Sequence, residues 1–225
     1  MSLPFDITPN LDGFSGQAPI FPLPGAVLFP HLLLPLQMFE PRYRKMTEDA
    51  LAGERLLTIA MLKPGFESQY ESKHAPMFPH VCLGRIINDE RLPDGRYFLV
   101  LRGLSRAIVE EEIETDEPYR VGKLKLLTDV IPTDNQFSPS HCRAEIAKVL
   151  QRVPASRIAS EVRDEILNPE LPLGTVCDLV AYVLKLPSPT MREVSQTLNV
   201  QTRYEIVLKH LWNATREFPP RFSIN

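Results

Sequence analysis

Ile20-Phe-Pro-Leu-Pro-Gly-Ala-Val-Leu-Phe-Pro30 and Leu34-Pro-Leu-Gln-Met-Phe-Glu-Pro-Arg-Tyr-Arg-Lys-Met46 are apolar runs cut every few residues by proline. Proline lacks the N–H that a sheet ladder or a helix interior needs, so these runs read as short strands with irregular ends. Phe21, Leu23, Val27, Leu28, Phe29, Leu34, Leu36 and Phe39 are the candidate core that such strands would bury. The second run then changes period. Pro41 suits a first helical position, and Tyr43, Met46, Thr47, Ala50 and Leu51 recur at helical spacing until Gly53.

Downstream, the β signals continue. Arg55 to Leu62, Val81 to Ile87, Tyr97 to Leu101, Arg106 to Ile113 and Tyr119 to Leu127 join Leu32 to Met38 as runs bounded by Pro, Gly or Asp. Leu92-Pro-Asp-Gly95 reads as a tight turn with glycine at positive φ. Residues 1–19 have few apolar anchors and read as a flexible arm, and 20–132 as one β-rich domain with a single helix. After Ile131-Pro132-Thr133-Asp134-Asn135 the period becomes helical, so 138–225 reads as a bundle of four or five helices. Its stripes are Ile146, Val149, Leu150 and Val153; Ile158, Val162 and Ile166; Val176, Leu179, Val180, Val183 and Leu184; and Tyr204, Val207, Leu208, Leu211 and Trp212. Thr190 and Glu193 form a candidate capping box. The fold class expected is α+β.

The 225 residues are 44% hydrophobic and 24% charged, enough for core burial in one large domain or two small ones. A formal net charge of -3 supplies no general field for phosphates, which disfavours nucleic acid. Cys82, Cys142 and Cys177 are odd in number and far apart, which suits a reducing compartment. No window approaches the ~20 apolar residues of a membrane span, so neither membrane contact nor a leader is expected, and the location implied is cytoplasmic.

Catalytic patterns are weak. Gly122-Lys123 lacks the remaining residues of a phosphate-cradling loop. His74, His80 and Cys82 have no recognised metal-ligand spacing, and the run Glu110 to Glu117 reads as solvated surface. Ser140 beside His141 has no orienting acid. No enzyme activity, cofactor or metal is expected.

The two quoted stretches resemble the opening of the Lon protease N-terminal substrate-binding domain. Leu83-Gly-Arg-Ile86, Leu92-Pro-Asp-Gly-Arg96 and Gly103-Leu-Ser-Arg-Ala-Ile108 follow in the same order, and the likeness extends through Asp178-Leu-Val-Ala-Tyr-Val183 and Arg203-Tyr-Glu-Ile-Val-Leu208. The resemblance implies a PUA-like pseudo-barrel followed by a helical bundle. It also implies a non-catalytic module, free-standing without ATPase or protease domains, that binds unfolded or tagged polypeptide, alone or beside a separate protease or ATPase. The alternatives are a scaffold for one folded partner and, further off, a hydrolase whose site assembles only in the fold. Phe66, Tyr70, Met77 and Phe78, in the loop-like stretch Lys63 to His80, are the candidate contacts, because aromatics and Met on a loop adapt to varied partners. Glu40, Arg42 and Arg44 beside the first helix are further candidates. The oligomeric state is not readable.

Overall fold

A computed structural model describes residues 11, 14–133 and 137–215. The chain divides into two compact units, with the division at Asp129.

The first unit holds β1 (Gln17–Pro24), β2 (Leu33–Met38), α1 (Pro41–Ala52), β3 (Leu56–Leu62), β4 (Met77–Arg91), β5 (Tyr97–Ile113) and β6 (Arg120–Leu127). The strand order is β2-β5-β4-β3-β1-β6, and β5 also pairs with β6, so five strands close a barrel and β2 lies outside the ring. Among the strand pairs of the described residues only β1 and β3 run parallel; the others are antiparallel. Alternation places Ala18 and Ile20, Leu56 and Ala60, Val81 and Leu83, Ala107 and Leu124 together as one buried cluster, each ring strand contributing. All seven residues of β3 are buried, as its unbroken apolar run requires. The helix α1 buries Tyr43, Met46, Thr47 and Ala50, with Tyr43 edge-on to Phe21 of β1 at 4.5 Å between ring centroids.

The change of partner along β5 decides the shape of this unit. Tyr97 to Arg102 pair with β2, whereas Arg106 to Ile113 pair with β6. Gly103 sits between them. Its N–H donates to Leu32 O at 2.9 Å and its carbonyl accepts from His31 N at 2.8 Å. A Cβ there would collide with the Phe29 carbonyl and crowd Pro30 Cα, so the incoming backbone can cross β5 only over a glycine.

Two details of this unit differ from the sequence reading. β1 begins at Gln17, inside the segment read as an arm, while residues 1–10 of that arm lie outside the described residues. Pro22 and Pro24 are tolerated because β6 stops pairing at Ile20, so among the described residues that edge of β1 has no strand beside them, and Pro19 precedes the first pair with β3 at Ile20. Tyr97–Ile113 is one strand, not two, because Gly103 bends the ladder without ending it. The Leu92–Gly95 turn closes as expected, with Gly95 at φ 81°.

The second unit holds α2 (Pro139–Leu150), α3 (Ser160–Ile166), α4 (Leu173–Val183), α5 (Ser188–Gln196) and α6 (Val200–Ala214). α4 is buried without a break from Leu173 to Ala181, and α2, α3, α5 and α6 all pack on it. Beside it, Arg203 of α6 is wholly buried. Its guanidinium donates to Asp129 Oδ2 at 2.9 Å and Oδ1 at 2.5 Å and to Thr197 O, and lies 3.6 Å from Asp178. Ser138 and Asn199 cap α2 and α6 by accepting from His141 N and Thr202 N. The expected capping box does not form: α5 starts at Ser188 after Pro187, which puts Thr190 inside the helix. Val162 and Trp212 were expected in buried stripes, but are 37% and 38% exposed. α3 is short, and Trp212 lies beside the buried Leu211 and Ala214 in the last turn of α6, at the edge of the stripe they continue.

Candidate polypeptide-binding surface

The segment Lys63 to His80 is fastened at several points. Lys63 N donates to Pro76 O at 2.8 Å, and the Tyr70 hydroxyl donates back to Lys63 O at 3.1 Å. Lys73 Nζ donates to Glu117 O at 2.6 Å and Arg120 Nη1 to Ala75 O at 2.6 Å. Of the four side chains proposed there, Phe66 is 39% exposed, while Tyr70, Met77 and Phe78 are half-buried. Met77 and Phe78 open β4 instead of lying in the loop, because Met77 pairs with Leu62 across a bulge and packs on the barrel cluster.

Arg42 joins the same structure. It donates to Glu40 Oε2 at 2.9 Å, to Glu71 O at 2.7 Å and to Tyr70 O at 3.1 Å, with its guanidinium 4.4 Å from the Tyr43 ring centroid. Glu40 and Arg42 thus tie the loop to the start of α1. Arg44 packs against the Leu92–Gly95 turn, where a Cβ on Gly95 would stand 2.5 Å from its Nη2.

Polar groups gather nearby around a cleft of about 740 Å³ lined by Lys73, His74, Glu112, Glu114, Asp116 and Arg120. Arg120, whose side chain is 7% exposed, holds Glu112 with two bonds of 2.6 and 2.5 Å. The Tyr119 hydroxyl donates to Asp49 at 2.8 Å; burial and that carboxylate push it well above its ordinary range. Burial alone would raise Asp49, but hydrogen bonds from Lys45 and Tyr119 hold it below the usual carboxylate range. No cluster of three or more His, Cys, Asp or Glu side chains is arranged to hold a metal among the described residues.

The apolar surface of this unit lies elsewhere, at the β2 side of the sheet. Register places Phe98 opposite Gln37 of β2 and Glu90 of β4, and Val100 opposite Pro35 and Asn88, all on one face. Phe98 is 39% exposed. Ile87, turned out by the register shift after Ile86, is 42% exposed, and Phe39, directly after β2, is 62% exposed. β2 pairs with β5 and has no second neighbouring strand among the described residues. The Gly103–Leu32 bond sets the phase of the ladder: Leu34, Leu36 and Met38 bond to β5, while Leu33, Pro35 and Gln37 turn their backbone groups to the open side. Sequence reasoning counted Phe39 as core and passed over Phe98 and Ile87. Alternation gives Phe98 the outward face once Tyr97, Leu99 and Leu101 are seen to be buried. The arrangement can hold an apolar, extended chain without any covalent chemistry.

The family model of the ATP-dependent protease La (LON) substrate-binding domain matches residues 17–213. A Lon protease of Dictyoglomus thermophilum is 26% identical over 201 residues, which is 88% of this chain and 24% of that protein. One of Desulfosudis oleivorans is 25% identical over 205 residues, 89% of this chain and 24% of that protein. The chain therefore spans about a quarter of the length of these relatives. Among solved structures, the N-terminal domain of a Mycobacterium avium complex Lon protease superposes with a TM-score of 0.67 at 18% identity, covering 87% of this chain and 97% of that one. A Lon N-terminal domain protein from Xanthomonas campestris gives 0.62 at 22% identity, covering 86% and 97%.

Proposed function

Because the chain belongs to the Lon substrate-binding domain family, we propose that these residues bind unfolded or tagged polypeptide non-covalently and leave any cleavage to ATPase and protease modules outside them. The observation that carries this reading is the exposed apolar face around Phe39, Ile87 and Phe98, beside a strand with an open edge. Large apolar side chains in water cost free energy that a bound apolar segment recovers, with little demand on its sequence. Phe66, on the fastened loop, is a further exposed aromatic among the candidate residues. Tyr70, Met77, Phe78, Glu40, Arg42 and Arg44 hold the loop, α1 and the Leu92–Gly95 turn in place.

The test is fluorescence anisotropy of the purified chain with a labelled, permanently unfolded polypeptide, using a folded protein and a single-stranded RNA as controls. Selective binding of the unfolded chain with a micromolar Kd is expected. Equal binding of the folded control, or none to any of the three, overturns the reading and favours a scaffold for one folded partner.

A further inference from the structure

The helical unit carries a groove of about 380 Å³ where α2 meets the end of α6. Its floor is Trp212 and Val149; its walls carry His141, Glu145, Lys148 and Arg152. The Arg152 guanidinium lies 5.4 Å from the centre of the Trp212 ring, and that half-exposed ring is the largest apolar group the groove offers. Lys148 stands one helical turn before Arg152. Neither cation has a carboxylate within ion-pair distance among the described residues, whereas Arg143, also on α2, is used internally on the carbonyls of Asn168 and Leu171. The one carboxylate in the groove, Glu145, is engaged at 2.5 Å by the Tyr204 hydroxyl. The groove therefore offers an apolar shelf flanked by two cations against one carboxylate, and that carboxylate is turned to Tyr204.

We propose that this groove binds an acidic peptide segment carrying one aromatic or large aliphatic side chain. That side chain rests on Trp212 while flanking carboxylates meet Lys148 and Arg152. Charge complementarity selects the occupant, in contrast to the sequence-tolerant apolar face of the barrel. A nucleic acid fits less well, because its affinity comes from neutralising many phosphates, and this groove supplies two cations in a chain of net charge -3.

Trp212 is the only tryptophan in the chain, so its emission reports on the groove directly. The full chain is titrated with a synthetic peptide of one Phe flanked by glutamates, with a lysine-flanked counterpart, and with a single-stranded RNA of equal length. Saturable change with the acidic peptide is expected, with a micromolar Kd that rises with added salt. The double substitution Lys148→Glu, Arg152→Glu weakens it about tenfold, and the milder Arg152→Gln about threefold. Circular dichroism verifies that both variants are folded, and both keep their affinity for the unfolded probe. Phe39→Ser does the reverse, so failure of this proposal and failure of the barrel-face reading are told apart. The proposal falls if the acidic and basic peptides bind alike or if the folded variants bind within twofold of the parent. It also falls if the RNA binds more tightly, or if emission shifts with protein concentration alone, which would make a second copy of the chain the occupant.

Discussion

Replacing Phe39 by Ser tests whether the β2 side of the sheet holds polypeptide. The ring is 62% exposed, so of the roughly 200 Å² that a Phe side chain can bury, about 120 Å² remains in water. Covering half of that area with a bound apolar side chain, at about 25 cal/mol per Å², gives about 1.5 kcal/mol. Loss of the ring should therefore raise Kd for an unfolded polypeptide about tenfold. Stability should move little, by about 0.5 kcal/mol, since most of the ring is already solvated in the folded chain. Anisotropy with the labelled unfolded probe gives the first quantity and a urea melt the second. A folded variant whose Kd stays within twofold of the parent would refute the assignment of this face.

Gly103→Ala should destabilise the first unit by at least about 2 kcal/mol in a urea melt, because the atoms it meets are backbone of Phe29 and Pro30 and cannot swing aside. Asp129→Asn should cost about 2 kcal/mol, less than a fully buried pair because Asp129 is 32% exposed, and should unfold the helical unit at lower temperature. Tyr119 titrates above its ordinary value of 10.0. Its extra stability is thus fully present below that pH and is lost as pH rises through the folded value. The stability gap between the parent and Tyr119→Phe should accordingly be widest below pH 10 and shrink above it.

The barrel-plus-bundle fold was legible because its local signals agree. Pro41 and Gly53 bracket α1, and the period changes near residue 131. The start of β1 at Gln17 was not, because Gln17 to Pro19 read as the end of an arm until their pairing with β6 is known. The Arg203 network was invisible for a different reason. Its partner Asp129 is 74 residues away, and an arginine on an amphipathic helix normally points to water. The candidate surface was half legible. Phe39 and Phe98 lie in runs where apolar residues occupy both parities, and composition cannot say which parity faces the core until register with β2 and β4 is known.

Pro35 gives the open side of β2 an uneven character. Of the three residues whose backbone faces outward there, the middle one has a carbonyl but no N–H to offer. An incoming strand can therefore pair at both ends of the edge but finds one donor missing at its middle, which weakens edge-to-edge pairing along it. Under the proposed function, binding at this edge would rest on side-chain contact more than on backbone pairing. Contact of that kind makes little demand on sequence, so under the proposed function an occupant would be held without a fixed register.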